Sequence, residues 1–187
     1  MKRIVFLMLS VVAVFSAAAS TTRPVTGTVI NPTDSCIQYV GRICFSNPMR
    51  PRFTFPGTQI IARFTGTSLK MMAKPRSGYF MAQIDGAEPF KVSFMGERDS
   101  VVTLATALPQ GCHDVRLMYV IEGYELKPDF RGFVLDAGAK LLTAPALPQR
   151  TIEFIGNSIT CGYGNESIEM SDPFEYETEN HYFTYAQ

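Results

Sequence analysis

Between residues 36 and 145 no stretch holds apolar residues at helical spacing for more than two turns. That excludes a helical bundle and leaves short strands as the building unit. Thr58 to Thr65 alternates in part and is bounded by Gly57 and Gly66. Ser68 to Ala73 follows after a two-residue Gly66-Thr67 connection, which predicts a hairpin. Tyr79 to Ile84 ends at an Asp85-Gly86 turn. Phe90, Val92 and Phe94 share one strand face, and Val115, Leu117 and Tyr119 share another. Ile37 to Phe45, Ser100 to Thr106, Arg131 to Gly138 and Leu141-Leu142 complete the set. About eight short strands at intervals of roughly 10 residues predict a β-sandwich or jelly roll over 36–143. Two sheets closing their apolar faces on each other explain why each strand is only half apolar.

Two other textures flank this region. Residues 20–35 are rich in Thr, Ser, Pro and Asn and read as an extended lead-in with a turn at Asn31-Pro32-Thr33-Asp34. Ala144-Pro145-Ala146-Leu147-Pro148-Gln149-Arg150 carries two prolines within four residues, which stop helix and sheet alike. A domain boundary is expected at this linker, 144–150, with a second unit over 151–187.

The first residues read as a targeting signal. Lys2 and Arg3 precede an apolar run from Ile4 to Phe15, and Ala17-Ala18-Ala19 offers a small-residue cleavage site. The run is about 12 residues, short of the roughly 20 that a spanning helix needs. Residues 1–19 are therefore expected to be a signal peptide and the remainder extracytoplasmic, with no membrane attachment after cleavage. Lys+Arg and Asp+Glu stand at 17 each, and removing Lys2 and Arg3 leaves 15 against 17. A mature charge near −2 argues against nucleic acid as a partner. Export permits disulfides among Cys36, Cys44, Cys112 and Cys161, and the three possible pairings stay open. No C-x-x-C pair suggests zinc.

Chemistry points to Thr151–Gly164. Ile152, Phe154 and Ile155 form a short apolar run that suits a strand buried on both faces of an α/β sheet. Gly156 permits a sharp reversal, and Ser158 then falls at the strand's carboxyl end, where open α/β sheets place ligands. Its backbone N–H would face the same crevice and could hold an oxyanion. Thr160 stands where the G-x-S-x-G elbow has its second glycine, so this is a different turn. G-x-S by itself is common by chance and reads first as an ordinary buried strand and turn whose serine caps a helix.

The longer stretch Ile152-Glu153-Phe154-Ile155-Gly156-Asn157-Ser158-Ile159-Thr160-Cys161-Gly162-Tyr163-Gly164-Asn165-Glu166 resembles the first block of SGNH (GDSL-type) hydrolases, as found in carbohydrate esterase family 2. Gly66-Thr67-Ser68-Leu69, Phe80 to Gly86, Leu108-Pro109-Gln110-Gly111-Cys112-His113 and the Glu122-Gly123 turn are similar to the jelly-roll domain that precedes the hydrolase domain in that family. The resemblance covers roughly 36–187. It implies a jelly roll followed by the first strand and turn of an α/β/α domain. It further implies an enzyme that removes O-acetyl groups from xylan- or mannan-type polysaccharides by serine acyl transfer, without metal or organic cofactor. Ser158 would be the nucleophile and its N–H an oxyanion donor, with Gly156 and Asn157 forming the turn. Asn157 replaces the usual Asp.

The family's catalytic His block is expected beyond residue 187, so the chain should be nearly inactive, and residues 151–187 should be poorly supported because one strand cannot form a parallel sheet by itself. His113 and His181 read as packing or surface histidines. Asp172, Glu175, Glu177 and Glu179 read as a solvated acidic loop, and Asn165-Glu166-Ser167 as a formal sequon. The alternative function is a non-catalytic carbohydrate-binding or structural module, with Tyr79 and Tyr124 as stacking platforms in the absence of Trp.

Overall fold

The computed structural model describes residues 26–98 and 100–187, so the signal-peptide expectation and the first six residues of the lead-in, 20–25, lie outside the described residues, while the rest of the lead-in contributes a strand to the sandwich. Ten strands follow in chain order: β1 (Thr28–Ile30), β2 (Gln38–Val40), β3 (Gln59–Gly66), β4 (Leu69–Ala73), β5 (Tyr79–Ile84), β6 (Phe90–Ser93), β7 (Val101–Ala105), β8 (Gly111–Tyr119), β9 (Phe130–Leu135) and β10 (Leu141–Leu142). They form two antiparallel sheets, as the alternation predicts. One runs β1-β9-β4-β7 and the other β10-β3-β8-β5-β6, with β2 also on β3.

The hairpin predicted at Gly66-Thr67 does not form. Both edges of β3 are occupied, by β8 on one side and by β2 and β10 in succession on the other. β4 therefore has no ladder to join there and crosses to pair with β7 and β9. Asp136 fixes the crossing. Its carboxylate accepts the Thr67 and Ser68 backbone N–H groups and both of their hydroxyls. The Ser68 hydroxyl and the Thr67 N–H hold the Asp136 carboxyl down at about 2. Gly66 is required by its φ of +114° and by the Asp136 oxygen lying 2.8 Å from where a Cβ would sit.

The expected Asp85-Gly86 turn is present. Asp85 and Gly86 both have positive φ, and the Ala87 N–H returns to the Ile84 carbonyl at 2.9 Å. That geometry matches a two-residue primed turn and leads directly into β6. The first candidate strand is shorter than predicted, because Gly41 at φ +102° ends it. Pairing resumes as a single bridge between Cys44 and Arg52.

Phenylalanine does the work of the missing tryptophan. Phe64, Phe80, Phe94, Phe130 and Phe133 are all essentially inaccessible. Phe80 meets Phe53, Phe94 and Tyr119 edge-to-face, with centroids 5.1–6.0 Å apart. Each such side chain contributes about 1.5–3 kcal/mol by leaving water. His113 closes one end of this core. It packs on Phe64, its Nδ1 lies 2.6 Å from Asp85, and its Nε2 lies 2.8 Å from the Pro109 carbonyl. It is a structural histidine, as the sequence suggests.

Beyond residue 150 the chain holds one helical turn, α1 (Ser158–Cys161), and two 3₁₀ turns at Tyr176–Thr178 and His181–Phe183. No candidate span is long and apolar enough to cross a membrane as a helix among the described residues. All four cysteines are free thiols.

Candidate active site

The serine turn is built by local chemistry. Asn157 is extended, and its side-chain oxygen accepts the Ile159 N–H at 3.1 Å. It thus caps α1, a role that Asn fills as well as Asp. Ser158 is the first helical residue. At the other end Gly162, at φ 83°, returns its N–H to the Ser158 and Ile159 carbonyls. Gly156 is obligatory, since a Cβ there would lie 1.9 Å from the Thr160 hydroxyl. Thr160 is the buried pin of the turn. Its hydroxyl bonds the Tyr185 hydroxyl at 2.6 Å, and its carbonyl accepts from His181 Nδ1 at 2.8 Å.

This arrangement leaves the Ser158 side chain exposed. Among the described residues neither its hydroxyl nor its backbone N–H has a hydrogen-bond partner. The residue therefore has both a free hydroxyl and a free backbone N–H. No imidazole or carboxylate is hydrogen-bonded to it among the described residues. His181 is buried, and burial lowers its pKa below the ordinary histidine value. With Nδ1 committed to Thr160 and Nε2 packed against Gly57, it is a packing residue, as the sequence suggests.

Two expectations need correction. Ile152–Ile155 is not a buried strand. It has no regular secondary structure and no ladder partners among the described residues, and Ile152, Phe154 and Ile155 are 75%, 47% and 90% exposed. A parallel strand needs neighbours on both edges and helices on both faces, and none is present here among the described residues. Conversely, residues 160–183 are better supported than expected. They dock on the outer face of the larger sheet through polar hooks. The His181 N–H donates to the Val120 carbonyl at 2.9 Å, and the Glu122 N–H donates to Glu179 Oε1 at 2.9 Å. Lys91 on β6 pairs with Glu166 and also donates to the Glu177 and Glu179 carbonyls. Asn165 and Asn180 exchange bonds, Nδ2 to carbonyl at 2.9 Å and Oδ1 to N–H at 3.0 Å. The sequon nitrogen is thus already engaged.

Glu179 departs from its expected solvated loop. It is fully buried, and burial pushes its carboxyl up to about 7. Among the described residues its Oε2 has no hydrogen-bond partner. Cys161, half-buried below the serine turn, is pushed up to about 12 by burial and by the neighbouring Glu122 carboxylate, so it is an inert thiol. Tyr79 is also removed from the surface. It is buried with the Lys91 ammonium over its ring at 5.2 Å, which leaves only Tyr124 exposed of the two proposed platforms. Nothing in the residue pattern distinguishes Glu179 from its exposed acidic neighbours.

A second feature escaped the sequence. Arg42 donates from Nε and Nη2 to Glu153, five residues before Ser158, at 3.1 and 2.7 Å. Arg42 also lies over the Phe55 ring, and both line a cleft of about 620 Å³ walled by residues 41–44, 52–55 and Lys127, with Glu153 of the serine segment bound to Arg42.

The chain is similar to known proteins over most of its length. A family model described as carbohydrate esterase 2 N-terminal matches residues 39–145. The cellulase/esterase CelE of Acetivibrio thermocellus is 37% identical over 153 residues, covering 80% of this chain and 18% of that protein. An acetylxylan esterase/glucomannan deacetylase of Cellvibrio japonicus is 32% identical over 137 residues, covering 72% and 37%. The solved structure of a family two carbohydrate esterase from Clostridium thermocellum in complex with cellohexaose superposes with a TM-score of 0.70 at 37% identity, covering 80% of this chain and 46% of that one. The chain thus spans less than half the length of these relatives. The antiparallel sandwich and the match over residues 39–145 together show that the chain belongs to carbohydrate esterase family 2 and carries its N-terminal β-domain.

Proposed function

We propose that this chain is the N-terminal portion of an extracytoplasmic serine esterase that removes O-acetyl groups from plant polysaccharides of the xylan or mannan type. The observation that carries it is the capped turn at Ser158, exposed with an unpaired N–H, in a chain of this family. The names of the relatives support acetylated polysaccharide as the substrate class. In the first step the Ser158 oxygen attacks the acetyl carbonyl while its proton passes to a base. The sugar hydroxyl leaves with a proton and an acetyl-enzyme forms. Water then releases acetate and restores the serine hydroxyl. The Ser158 N–H holds the developing oxyanion.

No base stands beside Ser158 among the described residues, and a serine at its free pKa is a weak nucleophile. The 187-residue chain is therefore expected to show little turnover of p-nitrophenyl acetate, and robust turnover lost in Ser158→Ala would overturn that expectation. The esterase assignment itself is tested in a chimera. Residues 26–187 replace the matching stretch of the 37%-identical relative, and acetate release from acetylated xylan is followed. Activity that disappears with Ser158→Ala supports the assignment; a folded, inactive chimera sinks it.

The docking of residues 160–183 also favours a supporting role for the sandwich. Lys91, Val120 and Glu122 belong to or follow its strands, and they hold the segment that carries the serine turn. The β-domain thus shapes the site from outside rather than binding glycan through a tyrosine pair.

A further inference from the structure

The cleft beside the serine segment is chemically one-sided. Arg42, Arg52 and Lys127 line it together with Phe53, Phe55 and Cys44, and no carboxylate is among its lining residues. The chain as a whole balances 17 basic against 17 acidic residues, so three cations on one wall are not a consequence of overall charge. Glu153 reaches Arg42 from the rim. Among the described residues Arg52 and Lys127 have no carboxylate partner. The nearest candidate, Asp129, bridges the Arg52 backbone but gives its side chain to Arg131 at 2.8 Å.

Backbone geometry fixes the anchor points of two of these cations. Arg52 is pinned by reciprocal N–H to carbonyl bonds with Cys44 at 2.8 and 3.1 Å, and Lys127 sits in a left-handed turn at φ 49°. Glu153 on Arg42 demonstrates what this wall accepts, a carboxylate in the fork of a guanidinium. Phe55 is 56% exposed at the same place and offers an apolar ring. A volume of about 620 Å³ suits a short oligosaccharide rather than a lone ion.

We propose that this cleft binds a uronic acid residue of an acetylated plant polysaccharide, with Arg52 and Lys127 receiving its carboxylate and Phe55 packing against a sugar face. The site would then select acidic, carboxylate-bearing chains on the β-domain, next to the Arg42–Glu153 contact with the serine segment. This assignment rests on the polysaccharide reading above, but its readout is binding and does not pass through the serine.

The test is calorimetric titration of the 187-residue chain with three probes: a glucuronic-acid-substituted xylo-oligosaccharide, an unsubstituted xylo-oligosaccharide of equal length, and an oligogalacturonate. At low salt the acidic probes should bind about tenfold more tightly than the neutral one, and added salt should narrow the gap. The two acidic probes distinguish a xylan side group from a galacturonan backbone as the source of the carboxylate. Arg52→Gln with Lys127→Gln should abolish the preference, and both side chains are exposed, so the fold is kept. Cys44 gives a second measurement. Its exposed thiol should be shielded from iodoacetamide by the acidic ligand, while the exposed Cys112, outside the cleft, is not. Equal binding of acidic and neutral probes, a preference unchanged in the double variant, or equal competition by inorganic phosphate would each overturn the proposal. Retained uronate binding with an inactive chimera would sink the esterase reading alone.

Discussion

The sandwich and the segment after residue 150 are stabilised by opposite means. In the sandwich, apolar side chains are inside and the strands are joined by backbone ladders; Phe80, Leu117 and Phe133 have essentially no accessible surface. In the serine segment Ile152, Ile155, Ile159 and Ile168 face outward, between 73% and 91% exposed. What is buried there is polar: Thr160, Glu179, Asn180 and His181. One region is held mainly by area removed from water and the other mainly by a few specific hydrogen bonds, helped by Tyr176 and Tyr182 packing on the core. The first mode resists local change because many contacts share the load. The second depends on individual atoms.

Four substitutions put this contrast to the test. Phe80→Ala should have the largest effect, about 3–5 kcal/mol of global stability by urea denaturation. A loss nearer 1 kcal/mol would mean that the aromatic cluster is not the keystone. His181→Ala should cost about 1–2 kcal/mol and expose residues 160–187 to limited proteolysis while the sandwich stays resistant, since it removes one buried hydrogen bond. Simultaneous cleavage in both regions would show that they unfold as one unit.

Glu179→Gln probes protonation. A carboxyl raised in the fold from 4.5 to about 7 holds its proton better folded than unfolded, so its penalty grows as pH rises through that window. The Gln variant should therefore gain stability relative to the parent between pH 4.5 and 7 and hold that gain above, read by thermal melting across pH. His181 works in the reverse sense. Its lowered pKa makes the fold lose stability as pH falls from the ordinary 6.5 towards the folded value. A Gln variant with no pH-dependent gain would mean that Glu179 is solvated. Ile155→Ser should change stability by no more than about 0.5 kcal/mol. A large loss would mean that the exposed apolar row is covered.

The strands were legible because a half-buried sheet writes itself as alternation. Val115, Leu117 and Tyr119 are buried while Arg116 between them is exposed, as their spacing implies. Partner choice was not legible. Gly66-Thr67 looks like a hairpin link, and only the occupied edges of β3 and the carboxylate of Asp136 turn it into a crossing. The apolar run at Ile152–Ile155 shows the limit of inferring burial from composition, because burial needs a partner surface that the run itself cannot encode. Glu179 shows the converse. Its environment is set by the N–H of Glu122, 57 residues away, and one acidic residue in a run of four carries no mark of it. The serine turn was legible in its glycines, though the capping oxygen belongs to Asn157 and not to the serine.

Met81 on β5 and Met118 on β8 lie directly opposite each other, and both are buried. Their neighbours Phe80, Ala82, Leu117 and Tyr119 alternate to the core side, so the two methionines belong to the outer face, where Asn180 reaches the Met81 sulfur at 3.7 Å. For anyone wishing to use the sandwich as a free-standing scaffold, this has a practical consequence. Trimming the chain at the proline-rich link would uncover Met81, Met118 and Tyr79 together as a sticky, oxidisable patch. A soluble stand-alone version therefore calls for polar replacements at those three positions, and none at the phenylalanines beneath them.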